Sequence, residues 1–93
     1  MKIGLLGIGT VGKGVREQLA GREDMGIQRI LVRREIPELG ELATRRIEDI
    51  LEDPEIDTVV ELMGGMEPAY SHVLRALRAG KNVVTANKLM LSY

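Results

Sequence analysis

The chain has no cysteine, no phenylalanine and no tryptophan, and only two tyrosines among its 93 residues. Without cysteine there can be no disulfide, no thiolate metal ligand and no cysteine nucleophile. That composition fits a reducing compartment, and a cytoplasmic location is expected. So few aromatics leave no stacking platform for single-stranded nucleic acid, and the core has to be aliphatic. An excess of one charge is also missing. Thirteen basic and fourteen acidic residues give a net charge of -1, so no bulk field draws the chain to a phosphate backbone. No apolar run reaches the roughly 20 residues needed to span a bilayer. The apolar stretch after Lys2 is interrupted by Gly4, Gly7 and Gly9 and is closed by no small-residue cleavage site, unlike a secretory leader. The single histidine, His72, has no second ligand at useful spacing and is expected on the surface, so no metal site is expected. Nucleic acid and membrane both drop out as expected partners.

Glycine, by contrast, is plentiful, with eleven residues, and three of them are placed with care. Gly7, Gly9 and Gly12 have the spacing G-x-G-x-x-G. They follow a short apolar run containing Ile3, Leu5 and Leu6, and precede Val11, Val15 and Leu19, which recur at the four-residue interval of one helix face. Glycines at a strand-to-helix junction are the context in which this spacing points to a dinucleotide. The first lets the chain turn, the second lets a pyrophosphate touch backbone, and the third lets the helix lie close on the sheet. Free N–H groups at the helix start then face the anion.

Further on, Ile27 to Val32 is expected to form a second strand. Its end lies about twenty residues beyond the last glycine, where a Rossmann unit places the group that meets the adenosine ribose. An acid there suits NAD; here stand Arg33 and Arg34, which suit a 2′-phosphate through paired charge-assisted bonds, so NADP is the preferred cofactor with NAD as the alternative. Residues 35–44 form a surface excursion, 43–46 a short edge strand, and Ile47 to Glu52 a short helix stopped by Asp53-Pro54. The next strand spans 57–62 and ends in Gly64-Gly65. Pro68 opens a helix that runs to about Ala79, with Val73, Leu74 and Leu77 facing inward and Gly80 as its stop. A last strand at 82–85 leads to Thr85, Asn87 and Lys88, placed at the carboxyl edge with the glycines. The expected fold is a single doubly wound parallel α/β sheet, with the strand at 2–6 lying between those at 27–32 and 57–62, and right-handed crossovers.

Three segments, Gly-Ile-Gly-Thr-Val-Gly-Lys-Gly at 7–14, Val-Val-Glu-Leu-Met-Gly-Gly at 59–65 and Val-Val-Thr-Ala-Asn-Lys at 83–88, in this order and spacing, resemble the start of homoserine dehydrogenase. The last two are the more specific, and the resemblance covers essentially the whole chain. It implies the nucleotide-binding part of an enzyme that interconverts aspartate semialdehyde and homoserine with NADPH or NADH, in the synthesis of threonine, methionine and isoleucine. It also implies that Gly7, Ile8, Gly9, Thr10, Val11 and Gly12 cradle the pyrophosphate, and that Arg33, with Arg34 beside it, meets the adenosine side. Gly64, Thr85 and Asn87 would fall near the nicotinamide ribose. Lys88 would lie between nicotinamide and substrate, contacting cofactor and handling a proton or placing the substrate. The family continues into a substrate-binding and dimerising domain. Residues 1–93 are expected to stop short of it, so that the amino-acid substrate is engaged only when that domain is present and the chain alone is inactive. A second possibility, of a different class, is a free-standing NAD(P)-binding module that senses or recruits without catalysis.

Overall fold

A computed structural model describes residues 1–7, 26–63 and 66–85. Five strands form one sheet: β1 (Lys2–Leu6), β2 (Gly26–Leu31), β3 (Ala43–Thr44), β4 (Thr58–Glu61) and β5 (Asn82–Thr85). Their order is β3-β2-β1-β4-β5, and every pair is parallel. The central strand is Ile-Gly-Leu-Leu after Lys2, buried at all four positions, because a strand covered on both faces has no side that can stay polar. The expected strands and their order are borne out, with ends differing by one or two residues.

Two aliphatic layers cover the sheet. On one face Leu6, Leu31 and Val59 pack with Ile47, Ile50, Ile56 and Ala76; on the other, Ile3, Leu5, Ile30 and Val32 pack with Leu39. Leu5, Leu6, Ile30, Ile50, Ile56 and Val59 are wholly enclosed. Each stabilises the fold by roughly 1.5–3 kcal/mol relative to an exposed position. The short helix α1 (Glu48–Leu51) brings Ile50 onto the first face, and α2 (Ala69–Arg78) brings Ala76.

Two expectations need correction here. Residues 35–44 do not simply run over the surface. Pro37–Leu42 is a 3-10 helix interrupted at Gly40 (φ 57°), and it buries Leu39; the Arg29 guanidinium donates to the Glu41 carbonyl at 3.2 Å and ties it to β2. The signal stood in the sequence as Ile36, Leu39 and Leu42 at every third residue, the period of a 3-10 helix, and all three pack on the same layer. Leu77, expected inward, is 54% exposed. The line of contact on α2 passes through Ala69 and Ala76, both fully buried and seven residues apart. Their short side chains let the helix lie close, and Leu77 sits a hundred degrees round from Ala76.

The helix ends as Gly80 foretold. Gly80 has φ 83°, its N–H donates to Leu77, and the Lys81 N–H reaches back to Ala76, which together make a Schellman closure. Lys81 itself is buried at the amino end of β5. Its ammonium donates to the carbonyls of Asp53 (3.0 Å) and Ile56 (2.6 Å), tying the α1–β4 connection to the last strand.

Candidate dinucleotide site

In this strand order the chain moves from β1 out to β2 and β3, then returns past β1 to β4 and β5. Ligands of open α/β sheets bind beyond the carboxyl ends of the strands where this reversal occurs, here between β1 and β4. Gly7 stands at that point. Its N–H donates to the Leu31 carbonyl at 2.9 Å, and its φ of 90° is one that residues with a side chain rarely adopt. A Cβ on Gly7 would lie 3.1 Å from Met63 Cγ and 3.4 Å from the Met63 nitrogen. The first glycine is therefore held close against both neighbouring strands in a conformation that favours glycine.

A cleft of about 990 Å³ opens at this edge. That is at the large end of pockets for small molecules, which run from about 300 to 1,000 Å³. Its apolar lining includes Leu31, Ile36, Ile47, Leu62 and Met63. Arg33 and Arg34, directly after Val32, line it and are exposed. So do Arg45 and Arg46, to which the sequence had assigned no role. The turn after β3 brings them there. The Arg46 N–H donates to Thr44 Oγ1 at 3.1 Å, and that hydroxyl donates to the Asp49 carboxylate at the start of α1. Four arginines, from the turns after two paired strands, thus line one cleft. Arg33, Arg34 and Arg45 form no ion pair with a described residue, and Arg46 makes only a long contact (3.8 Å) to Glu48. Glu48 also accepts from Arg75 at 3.2 Å. A backbone hydrogen bond first, then Arg75, holds its carboxyl below the ordinary value.

His72, expected on the surface, is half-buried and lines the cleft beside Pro68. Its Nδ1 is enclosed and has no hydrogen-bond partner among the described residues. Burial pushes its pKa down, helped by Arg75 and opposed by Glu67 and Glu48. Helical spacing alone could not reveal this, since the first turn of α2 faces the sheet edge only once the strand order is known.

Thr85 ends β5 at the same edge, opposite Glu61, and its hydroxyl donates to the Glu61 carboxylate at 2.7 Å. Ile8, Gly9, Thr10, Val11, Gly12, Gly64, Asn87 and Lys88 lie outside the described residues. Among the described residues no cluster of His, Asp and Glu could hold a metal ion, and no helix is long and apolar enough to cross a membrane.

An all-parallel sheet with a positive-φ glycine at its point of reversal and an arginine-lined cleft beside it defines a nucleotide-binding domain of the Rossmann type. Comparison with known proteins narrows this. The profile of the homoserine dehydrogenase NAD-binding domain matches residues 7–92, and the chain belongs to that family. Homoserine dehydrogenase of Synechocystis is 41% identical over 99% of the chain, and that of Bacillus subtilis 35% identical over 99%. The crystal structure of a homoserine dehydrogenase from Thiobacillus denitrificans superposes with a TM-score of 0.86 at 39% identity, covering 99% of this chain and 24% of that one. One from Staphylococcus aureus gives 0.82 at 35% identity, covering 95% and 26%. The chain spans about a quarter (24%) of the length of the curated relatives it matches. Its relatives are oxidoreductases, and its cofactor is a nicotinamide dinucleotide.

Proposed function

We propose that residues 1–93 form the cofactor-binding unit of a homoserine dehydrogenase, preferring NADP over NAD and working in the cytoplasm. The observation that carries the preference is the set of four arginines, Arg33, Arg34, Arg45 and Arg46, that follow the paired strands β2 and β3 and line the cleft. Guanidinium is planar, permanently charged and pairs with phosphate through two bonds at once, so these arginines, three of them without an ion pair among the described residues, suit a 2′-phosphate. With no Phe or Trp in the chain, the adenine would rest on apolar side chains such as Ile36 and on guanidinium planes.

Gly7 fits this cofactor, because the turn it makes leaves backbone rather than side chain at the sheet edge. Ile8 to Gly12 complete the pyrophosphate cradle in this reading, and Gly64, Thr85 and Asn87 receive the nicotinamide ribose. The bound cofactor supplies the hydride that interconverts aspartate semialdehyde and homoserine, in the pathway to threonine, methionine and isoleucine. Lys88 carries the proton or places the amino-acid substrate, which is held by a further domain, and the 93-residue chain is inactive without it. Positioning of the reacting groups is the larger part of such catalysis.

Calorimetric titration of the chain with NADP and with NAD tests the reading. Arg33→Ala with Arg34→Ala should weaken NADP by roughly 2–4 kcal/mol and leave NAD nearly unchanged, each charged hydrogen bond contributing about 1.5–3 with incomplete additivity. Equal losses for both cofactors would remove these arginines from the phosphate.

A further inference from the structure

His72 is the one aromatic ring among the described residues that line the cleft. It stands in the first turn of α2, where its backbone N–H donates to the Pro68 carbonyl at 3.0 Å. Neither ring nitrogen has a hydrogen-bond partner among the described residues: Nδ1 is enclosed, and Nε2 is the one left accessible. Three charged side chains act on the ring, Arg75 on the same helix, Glu67 just before it and Glu48 from α1. Glu48 also joins this wall of the cleft to the arginines, with one oxygen 3.2 Å from Arg75 and the other 3.8 Å from Arg46.

An enclosed N–H without an acceptor forfeits the bond it would make to water. The proton of the neutral ring therefore belongs on Nε2, and a second proton on Nδ1 is disfavoured. Burial acts in the same direction and lowers the pKa. The ring is thus a neutral donor in a cleft that also holds four permanent cations, and the two suit different parts of a ligand. A phosphate beside His72 would meet the Glu48 carboxylate. An uncharged flat base would not, and Ile47, Met63 and Pro68 line the same cleft as an apolar bed for it. In NADP the ribose that bears the 2′-phosphate also bears adenine, whose ring nitrogens are acceptors. We propose that His72 contacts this base, its Nε2–H donating to a ring nitrogen of the adenine. The proposal rests on the dinucleotide reading above and deepens it, adding a residue that recognises the base to those that recognise the phosphate.

His72 is the only histidine of the chain, so its imidazole signals stand alone in a proton–nitrogen correlation spectrum of the 93-residue protein. At about pH 7.5 the nitrogen shifts should report a proton on Nε2 and none on Nδ1. Adding NADP or adenosine 2′-monophosphate should move these signals, and inorganic phosphate should move them far less. Both readouts use the parent chain and do not depend on a variant folding. By calorimetry, His72→Leu should weaken NADP and adenosine 2′-monophosphate alike by about fivefold, the scale of one lost neutral hydrogen bond, with inorganic phosphate unaffected. His72→Gln, whose amide nitrogen can stand near the place of Nε2, should bind within about twofold of the parent. The charge of NAD is constant from about pH 6.5 to 8, and its affinity should be flat across that range because a neutral ring receives it. A proton on Nδ1, signals that inorganic phosphate moves as far as NADP does, no rescue by Gln, or NAD affinity that climbs as pH falls would each overturn the proposal. Binding of NADP that leaves the His72 signals in place would overturn it too while the cofactor site stands. A parent chain that binds no NADP would instead refute the proposed function itself.

Discussion

Ile50 Cγ2 lies 2.7 Å from where a Cβ on Gly4 would stand. The central strand lacks a side chain there because α1 presses its one fully buried residue onto the sheet at that point. Gly4→Ala should therefore destabilise the fold by about 1–3 kcal/mol, the usual cost of overpacking, read from urea denaturation. Ile50→Ala alone should cost about 2–5 kcal/mol through its cavity. The double variant should cost less than the sum, because the added methyl occupies space the isoleucine has vacated. Strict additivity would mean the two positions do not meet.

Arg45 separates the site as folded from the site as spaced along the chain. It follows β3 rather than β2, yet lines the same cleft as Arg33. Arg45→Ala should weaken NADP by about tenfold, equivalent to 1.4 kcal/mol, and NAD by less than twofold. Fluorescence titration with the reduced cofactors measures both. An unchanged NADP affinity would confine recognition of the phosphate to the first pair of arginines.

His72 predicts a pH dependence. Its folded pKa lies below the ordinary 6.5, first because it is buried and then because Arg75 is near. The unfolded chain then takes up the proton first, so stability is complete above pH 6.5 and is lost as pH falls from 6.5 to the folded value. His72→Gln should flatten the melting temperature across that window. Glu48 and Asp57 act lower down. Both carboxyls are held below their ordinary values of 4.5 and 3.8, Glu48 chiefly by a backbone hydrogen bond and Asp57 by the Thr58 hydroxyl. Their contribution is present above those values and disappears as pH falls through the folded ones. A His72→Gln melting curve with an unaltered slope near pH 6 would contradict the enclosed Nδ1.

Lys81 should affect stability alone. Its ammonium is satisfied by two carbonyls at the amino end of the sheet, opposite the cleft. Lys81→Met keeps the stem and removes the donor, leaving both carbonyls short of a partner. The cost should be about 1–3 kcal/mol in denaturant, with NADP affinity unchanged by calorimetry. A change in affinity would show that the two edges of the sheet are coupled.

Much of this was legible in the sequence, for identifiable reasons. Parallel strands are short apolar runs, and Val59-Val60 and Val83-Val84 leave little choice. Gly7, Arg33 and Arg34 could be placed because they stand at set distances along the chain from a strand end. Arg45 and Arg46 could not, because their partnership with Arg33 runs across the β2–β3 pair and depends on Leu31 lying beside Thr44. Leu77 misled because apolar residues occupy three adjoining directions on α2, and the choice of face was made by two alanines, which hydropathy weighs lightly.

The four arginines have no part in either aliphatic layer, and the turns that present them are anchored by Val32, Thr44 and Ile47 behind them. If these arginines read the 2′-phosphate as proposed, cofactor choice is a detachable trait of this fold. A lineage could exchange NADP for NAD through substitutions at 33, 34, 45 and 46 while the frame beneath drifted under separate constraints. The same independence makes these turns a natural place for a protein engineer to retune redox coupling without first restabilising the scaffold.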